Sequence, residues 1–103
     1  MSVREMTALQ LQEALAGNSV VLIDVREPTE YESAHISGAK LIPLGQLLPS
    51  DLPNGPIVFQ CRSGGRSHAA CELILKSNPN ATVYNLVGGI VAWIEAGYGV
   101  VKG

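Results

Sequence analysis

The sequence has little positive charge and few cysteines. Its 103 residues contain seven Lys and Arg against nine Asp and Glu, for a formal net charge of -2. No basic stripe suits nucleic acid or an anionic membrane, and no apolar run approaches the roughly 18 residues that a membrane-spanning helix needs. The first residues, MSVREMTALQ, lack the basic head and apolar core of a secretory signal. We therefore expect a cytoplasmic protein with no nucleic-acid or membrane partner.

Two cysteines are too few for a disulfide framework. The spacing of these cysteines and the two histidines does not match that of zinc ligands. The sequence therefore predicts free thiols, no metal site and no cofactor. Apolar residues, in contrast, make up 47% of the chain, enough for one hydrophobic core. Because composition is even from end to end, we predict a single domain over residues 1–103.

Apolar runs and turn signals predict strands that alternate with helices. Thr7 and Gln10 resemble a capping box that opens a helix extending through Leu15. Residues 20–23 then form a run that is apolar on both faces, which is typical of a parallel strand covered by helices. Further strands are predicted in AKLIP, PIVFQ and TVYNL, and helices over residues 28–33, after the stretch CRSGG and in GGIVAWIEAG. This pattern favours an α/β fold with a mainly parallel sheet, whose ligand sites lie at the carboxyl ends of the strands.

The stretch IVFQCRSGGRSHAA, residues 57–70, carries the clearest chemical signal. An apolar strand leads into Cys61, and a loop with two glycines leads into a helix that begins near Arg66 or Ser67. Gly64 and Gly65 allow a tight turn in which backbone N–H groups face one concavity, and the helix N-terminus adds its positive dipole end. Because such donors favour the thiolate form, we interpret Cys61 as a nucleophile. These residues alone do not name the reaction.

The segment CRSGGRS, residues 61–67, resembles the active-site loop of small single-domain rhodanese sulfurtransferases. LIDVREPTEYESAHISGAKLIPL and NLVGGIVAW resemble further signatures of this family, so the resemblance covers nearly the whole chain. It implies a rhodanese-like three-layer fold with a mostly parallel five-stranded sheet and helices on both faces. Two positions depart from the family pattern. Ser37 stands where proline is usual, and Ser63 stands where large thiosulfate-using members have lysine, which weakens thiosulfate as the natural donor.

The resemblance implies a sulfurtransferase that forms a persulfide on Cys61. A small anionic sulfur donor such as thiosulfate would load it, and a thiophilic acceptor, cyanide or a thiol, would discharge it. The alternative is a carrier that delivers this sulfur to a thiol-bearing partner protein. A cysteine-dependent phosphatase of the same fold is less favoured, because four residues separate Cys61 from Arg66 where those phosphatases have five. The shorter loop makes a cradle sized for one sulfur rather than for phosphate.

We predict that the loop after Cys61 binds the substrate through Arg62, Ser63, Gly64, Gly65, Arg66 and Ser67. The guanidinium fork of Arg62 suits the oxygens of an anionic donor. Arg66 closes the cradle, where it either faces the donor or pairs with a carboxylate.

Further residues are predicted to support the site or the core. Asp24 ends a buried strand and needs a partner, for which Arg26, Arg66 and the loop N–H groups are candidates. His35 is expected to form a structural hydrogen bond and His68 to lie at the surface. Cys71 is expected to pack in the core, too far from Cys61 for a disulfide.

Overall fold

Five parallel strands form the centre of the computed structural model, which describes residues 3–103. The sheet has the order β1-β5-β4-β2-β3, and every neighbouring pair is parallel. The strands are β1 Arg4–Met6, β2 Val21–Asp24, β3 Lys40–Leu41, β4 Ile57–Gln60 and β5 Val83–Leu86. The α/β fold with a five-stranded parallel sheet is therefore confirmed. Sequence patterning did not locate β1, because its three residues lack an apolar run and gain order by pairing with β5.

Of the four α-helices within residues 3–103, three connect strands and the fourth follows β5, and two short 3-10 helices lie between β3 and β4. The α-helices are α1 Ala8–Ala16, α2 Pro28–Ser33, α3 Gly65–Ser77 and α4 Gly89–Glu95, and the 3-10 helices are Leu44–Gln46 and Pro49–Asp51. The capping box at α1 is confirmed, since Thr7 and Gln10 exchange hydrogen bonds of 2.9 and 3.2 Å. Helix α3 begins at Gly65, slightly earlier than the sequence indicated, and α4 ends at Glu95.

The sheet is covered on both faces because its strand residues alternate between two apolar clusters. Phe59 packs with Cys71 and Ile74 of α3 on one face. Val58 packs with Leu11 of α1 and Trp93 of α4 on the other. Such two-sided burial is what a parallel sheet with helical crossovers requires. None of the described helices is long and apolar enough to cross a membrane.

The carboxyl ends of β2, β4 and β5 lie at the same edge of the sheet. Asp24 is in register with Gln60, and Phe59 is in register with Asn85. Cys61 directly follows β4 and therefore lies between the ends of its two neighbouring strands. The domain predicted over residues 1–103 also includes Met1 and Ser2, which lie outside the described residues.

Candidate active site

Cys61 begins a four-residue loop that connects β4 to α3. Gly64, the last loop residue, has φ 114°, a left-handed conformation that favours glycine over residues with a Cβ. This turn directs the N–H of Gly64 back to Cys61, where it donates to Sγ at 3.1 Å. Gly65 has no such requirement, because it is the first residue of α3 and does not have positive φ. The tight turn expected of both glycines is therefore made by Gly64.

The Cys61 sulfur is surrounded by hydrogen-bond donors although its residue is only 1% exposed. The Ser67 hydroxyl lies 3.4 Å from Sγ. Burial raises the pKa of the Cys61 thiol, but hydrogen bonds from the Ser67 side chain and from the N–H groups of Ser67, Gly64 and Ser63 outweigh it and hold the pKa below its usual value. The loop therefore favours a thiolate without any neighbouring base.

Asn85 of β5 is a member of this network that sequence patterning did not single out. The residue is 6% exposed, and its Oδ1 accepts a hydrogen bond from the Ser67 hydroxyl. Its Nδ2 donates to the Gly64 carbonyl at 3.2 Å. One amide thus joins the last residue of the loop to the first turn of α3. The available signal was a polar residue within the apolar strand TVYNL, at a position that faces α3 rather than solvent.

The N-terminus of α4 holds the other side of the loop. Ile90 N–H donates to the Cys61 carbonyl at 2.9 Å, and Val91 N–H donates to the Arg62 carbonyl at 3.2 Å. Gly89 has φ 58°, and a Cβ there would overlap the Cys61 carbonyl oxygen and lie 2.5 Å from that of Arg62. Glycine is therefore required sterically, which gives a physical reason for the double glycine in NLVGGIVAW.

Arg66 pairs with a carboxylate of α2. Its Nη1 donates to Glu30 Oε1 at 2.7 Å and its Nη2 to Glu30 Oε2 at 2.9 Å. The hydrogen bonds from Arg66 hold the pKa of Glu30 at about 2, and the same pair raises the pKa of Arg66. Of the two predicted alternatives for Arg66, the structure has the carboxylate pair. Sequence patterning did not single out Glu30, because 36 residues separate the two partners.

Arg62 and Ser63 lie at the exposed mouth of the loop. Arg62 forms no ion pair with any described side chain, whereas Ser63 contributes its backbone N–H to the Cys61 sulfur. The loop residues 61–67 are thus brought together, with a cation at the mouth and backbone donors below it.

Asp24 and Arg26 form a buried ion pair on the strand next to β4. Arg26 Nη2 lies 2.7 Å from Asp24 Oδ2 and also donates to the Ala34 carbonyl at 2.7 Å. Of the candidate partners of Asp24, the structure selects Arg26. Because both groups are paired, this ion pair supports the chain between β2 and the segment after α2.

The two histidines and Cys71 have structural environments. His35 stacks on Tyr31 with ring centroids 3.8 Å apart, and its Nδ1 lies 2.9 Å from the Tyr31 carbonyl oxygen. The backbone of His35 also exchanges hydrogen bonds with Val101. His68 lies on the surface of α3. Cys71 is buried in the core with no disulfide, and burial raises its pKa to about 12.

Comparison with known proteins supports the family resemblance of the sequence. The sequence profile of the family described as "Rhodanese-like domain" matches residues 7–96. The chain is similar to a protein of Allochromatium vinosum named "Sulfurtransferase", with 36% identity over 104 residues that cover 96% of this chain and 95% of the relative. It is 37% identical to an uncharacterized protein of Synechocystis over 95 residues, 89% of this chain but 52% of the relative, so it spans about half of that protein.

A solved structure shows the same fold. The rhodanese-related protein from Thermoplasma volcanium superposes with a TM-score of 0.86 at 32% identity, and the match covers 97% of this chain and 99% of that one. The agreement extends over all of the elements that position the cysteine loop.

Proposed function

The chain belongs to the rhodanese-like domain family, and from this membership we propose that it transfers a sulfane sulfur through a persulfide on Cys61. Sulfur transfer in general is supported by the relative that is named a sulfurtransferase. The observation that carries the proposal is the set of donors around the Cys61 sulfur, from Gly64 at 3.1 Å and Ser67 at 3.4 Å. Such donors stabilise a negatively charged sulfur before and after the transfer.

The first step loads the enzyme. The Cys61 thiolate attacks the outer sulfur of a donor such as thiosulfate, the S–S bond of the donor breaks, and sulfite leaves with the bonding electron pair. A negatively charged persulfide remains on Cys61. Arg62, exposed at the mouth of the loop, attracts the anionic donor.

The second step returns the thiolate. Cyanide or an acceptor thiolate attacks the outer sulfur of the persulfide, and the electron pair of the Cys61 S–S bond returns to Sγ. The proposed step uses no general base, because the hydrogen bonds that hold the pKa of Cys61 below its usual value favour the thiolate form. Arg66 positions the loop through its ion pair with Glu30.

The spacing of the loop argues against a phosphatase, because four residues separate Cys61 from Arg66 where the phosphatases of this fold have five. A carrier that passes the sulfur to a partner protein uses the same persulfide and stays the alternative. The single domain over residues 1–103 and the cytoplasmic location stay predictions from the sequence.

Mass spectrometry after incubation with thiosulfate tests the proposal. We expect the protein to gain one sulfur atom at Cys61 and to lose it on addition of cyanide. Cys61→Ser should gain none, whereas Cys71→Ser, at the other thiol, should still be loaded because Cys71 is buried away from the loop donors. Absence of the added sulfur with thiosulfate and with polysulfide would contradict the proposed chemistry.

A further inference from the structure

A groove lies beside the cysteine loop, between α2 and α4. We name it the α2/α4 groove; its cavity of about 380 Å³ is lined by Arg26, Glu30, Ser33, Ala34, Arg62, Ile90, Val91 and Ile94. This volume lies within the range of pockets that hold small organic ligands, about 300–1,000 Å³.

The polar groups of this groove are already satisfied, with one exception. Arg26 and Glu30 are held in the ion pairs described above, and the Ser33 hydroxyl donates to the Thr29 carbonyl at 3.0 Å. Arg62 alone among these charged residues has no ion-pair partner within the described part of the chain. The groove therefore offers one free positive charge, on the residue next to Cys61.

The wall contributed by α4 is apolar and partly open to solvent. Val91 is 38% exposed and Ile94 is 49% exposed, and both line the groove beside the more buried Ile90. The N–H groups of Ile90 and Val91 bind the carbonyls of Cys61 and Arg62, so this wall is fixed directly to the reactive loop. A carbon chain placed here would remove these branched side chains from water.

We propose that the α2/α4 groove binds the carbon chain of a small aliphatic thiol acceptor whose carboxylate pairs with Arg62. The proposal rests on the Cys61 persulfide of the proposed function. An inorganic anion would use the charge of Arg62 but would leave the apolar wall unused. Because Arg62 both follows Cys61 in the loop and lines the groove, the carboxylate of the acceptor lies at Arg62 and its carbon chain extends along Val91 and Ile94.

Transfer of sulfur to this acceptor needs no oxidant, because one S–S bond forms as another breaks. The acceptor thiolate attacks the outer sulfur of the Cys61 persulfide and forms a new S–S bond. The bond between that sulfur and Cys61 Sγ breaks, and its electron pair stays on Sγ as thiolate. The acceptor leaves as an organic persulfide.

A series of 2-mercaptocarboxylates tests the groove, because thiol and carboxylate keep their separation while the chain grows. Cys61 is loaded with thiosulfate or polysulfide, and discharge by 2-mercaptoacetate, 2-mercaptobutanoate and 2-mercaptohexanoate is followed by mass spectrometry. We expect kcat/KM to rise about twofold to fourfold for each added methylene. Arg62→Gln should lower kcat/KM for all three relative to uncharged 2-mercaptoethanol.

Ile94→Ser removes the apolar wall, and Leu73→Ser is the matched control. Leu73 is a 39% exposed residue of α3, which packs against the opposite face of the sheet. We expect Ile94→Ser to reduce the ratio of hexanoate to acetate kcat/KM severalfold and Leu73→Ser to preserve it.

Discharge of the Cys61 persulfide by cyanide distinguishes an error in the groove proposal from an error in the proposed function. If cyanide discharges Cys61 normally but kcat/KM for the 2-mercaptocarboxylates is independent of chain length, the groove proposal is wrong. A site that accepts protein thiols would give this same result. An equal chain-length dependence in Ile94→Ser and the unaltered protein would overturn it as well. If Cys61 takes up no sulfur from either donor, the persulfide mechanism itself is wrong.

Discussion

Replacing Ser67 by alanine should raise the pKa of Cys61. The Ser67 hydroxyl is the side-chain donor that contributes most to lowering this pKa, and it lies 3.4 Å from Sγ. A hydrogen bond to a charged acceptor contributes about 1.5–3 kcal/mol, and about 1.36 kcal/mol corresponds to one pKa unit. The single hydroxyl proton is shared with Asn85 Oδ1 and the Gly64 carbonyl, so the lower end of this range applies. We expect loss of this donor to destabilise the thiolate by about 1.5 kcal/mol.

The rate of alkylation of Cys61 by iodoacetamide, followed by peptide mass spectrometry from pH 5 to pH 10, measures this pKa. Because the thiolate is the reactive form, the loss of about 1.5 kcal/mol of thiolate stabilisation lowers the rate at neutral pH by up to about tenfold. Ser63→Ala is the matched control, since Ser63 lowers this pKa through its backbone N–H, which the substitution keeps. Ser67→Thr retains a hydroxyl and tests whether that group restores the effect.

Either of two results would refute the role of the Ser67 hydroxyl in lowering the Cys61 pKa. One is a midpoint of alkylation in Ser67→Ala that equals or falls below that of the unaltered protein while circular dichroism shows a folded chain. The other is a shift of equal size in Ser63→Ala, which would mean that the loop as a whole, rather than the Ser67 donor, sets the pKa.

Three further predictions concern the ion pair, the glycines and the second thiol. Glu30→Gln should lower the free energy of unfolding in urea by about 1 kcal/mol at pH 7, a value reduced for partial exposure of the pair. Since folding lowers the Glu30 pKa from 4.5 to about 2, this difference should be lost as the pH falls through that interval, and a constant difference would contradict it. Gly89→Ala should lower the free energy of unfolding by more than about 2 kcal/mol in thermal or urea unfolding, because it combines positive φ with backbone overlap. Gly65→Ala, with open space and no positive φ, should change it by less than about 0.5 kcal/mol; equal effects would refute the steric argument. Iodoacetamide at pH 8 should label Cys61 in the folded protein and Cys71 only after denaturation, since burial raises the Cys71 pKa to about 12; comparable labelling of both would refute this.

The alternation of strands and helices could be predicted because it depends on local patterns. Residues 28–33 and the strand PIVFQ were located from turn signals and apolar runs, and the structure has α2 at Pro28–Ser33 and β4 at Ile57–Gln60. Strand β1 was not located, because a three-residue edge strand carries no such pattern and is defined by pairing with a strand about 80 residues away.

In the cysteine loop too, some features follow from local sequence and others depend on tertiary packing. Cys61, the glycine that turns the loop and the helix that follows are adjacent in sequence, so elementary stereochemistry predicts a concavity of N–H groups facing the sulfur. Which carboxylate pairs with Arg66, and which amide shares the Ser67 proton, depends on how α2 and β5 pack around that loop.

The sequence by itself therefore determined the class of fold, the candidate nucleophile and the donors that its own loop supplies, because these follow from residues within a few positions of each other. Only the tertiary structure decided that Glu30 pairs with the guanidinium of Arg66 and that Asn85 contacts both Gly64 and Ser67. It also decided that Arg62, which has no ion-pair partner among the described side chains, lies beside the α2/α4 groove. The physical reason is that these contacts join segments distant in sequence, and their partners are selected by the packing of helices on the sheet rather than by any local preference.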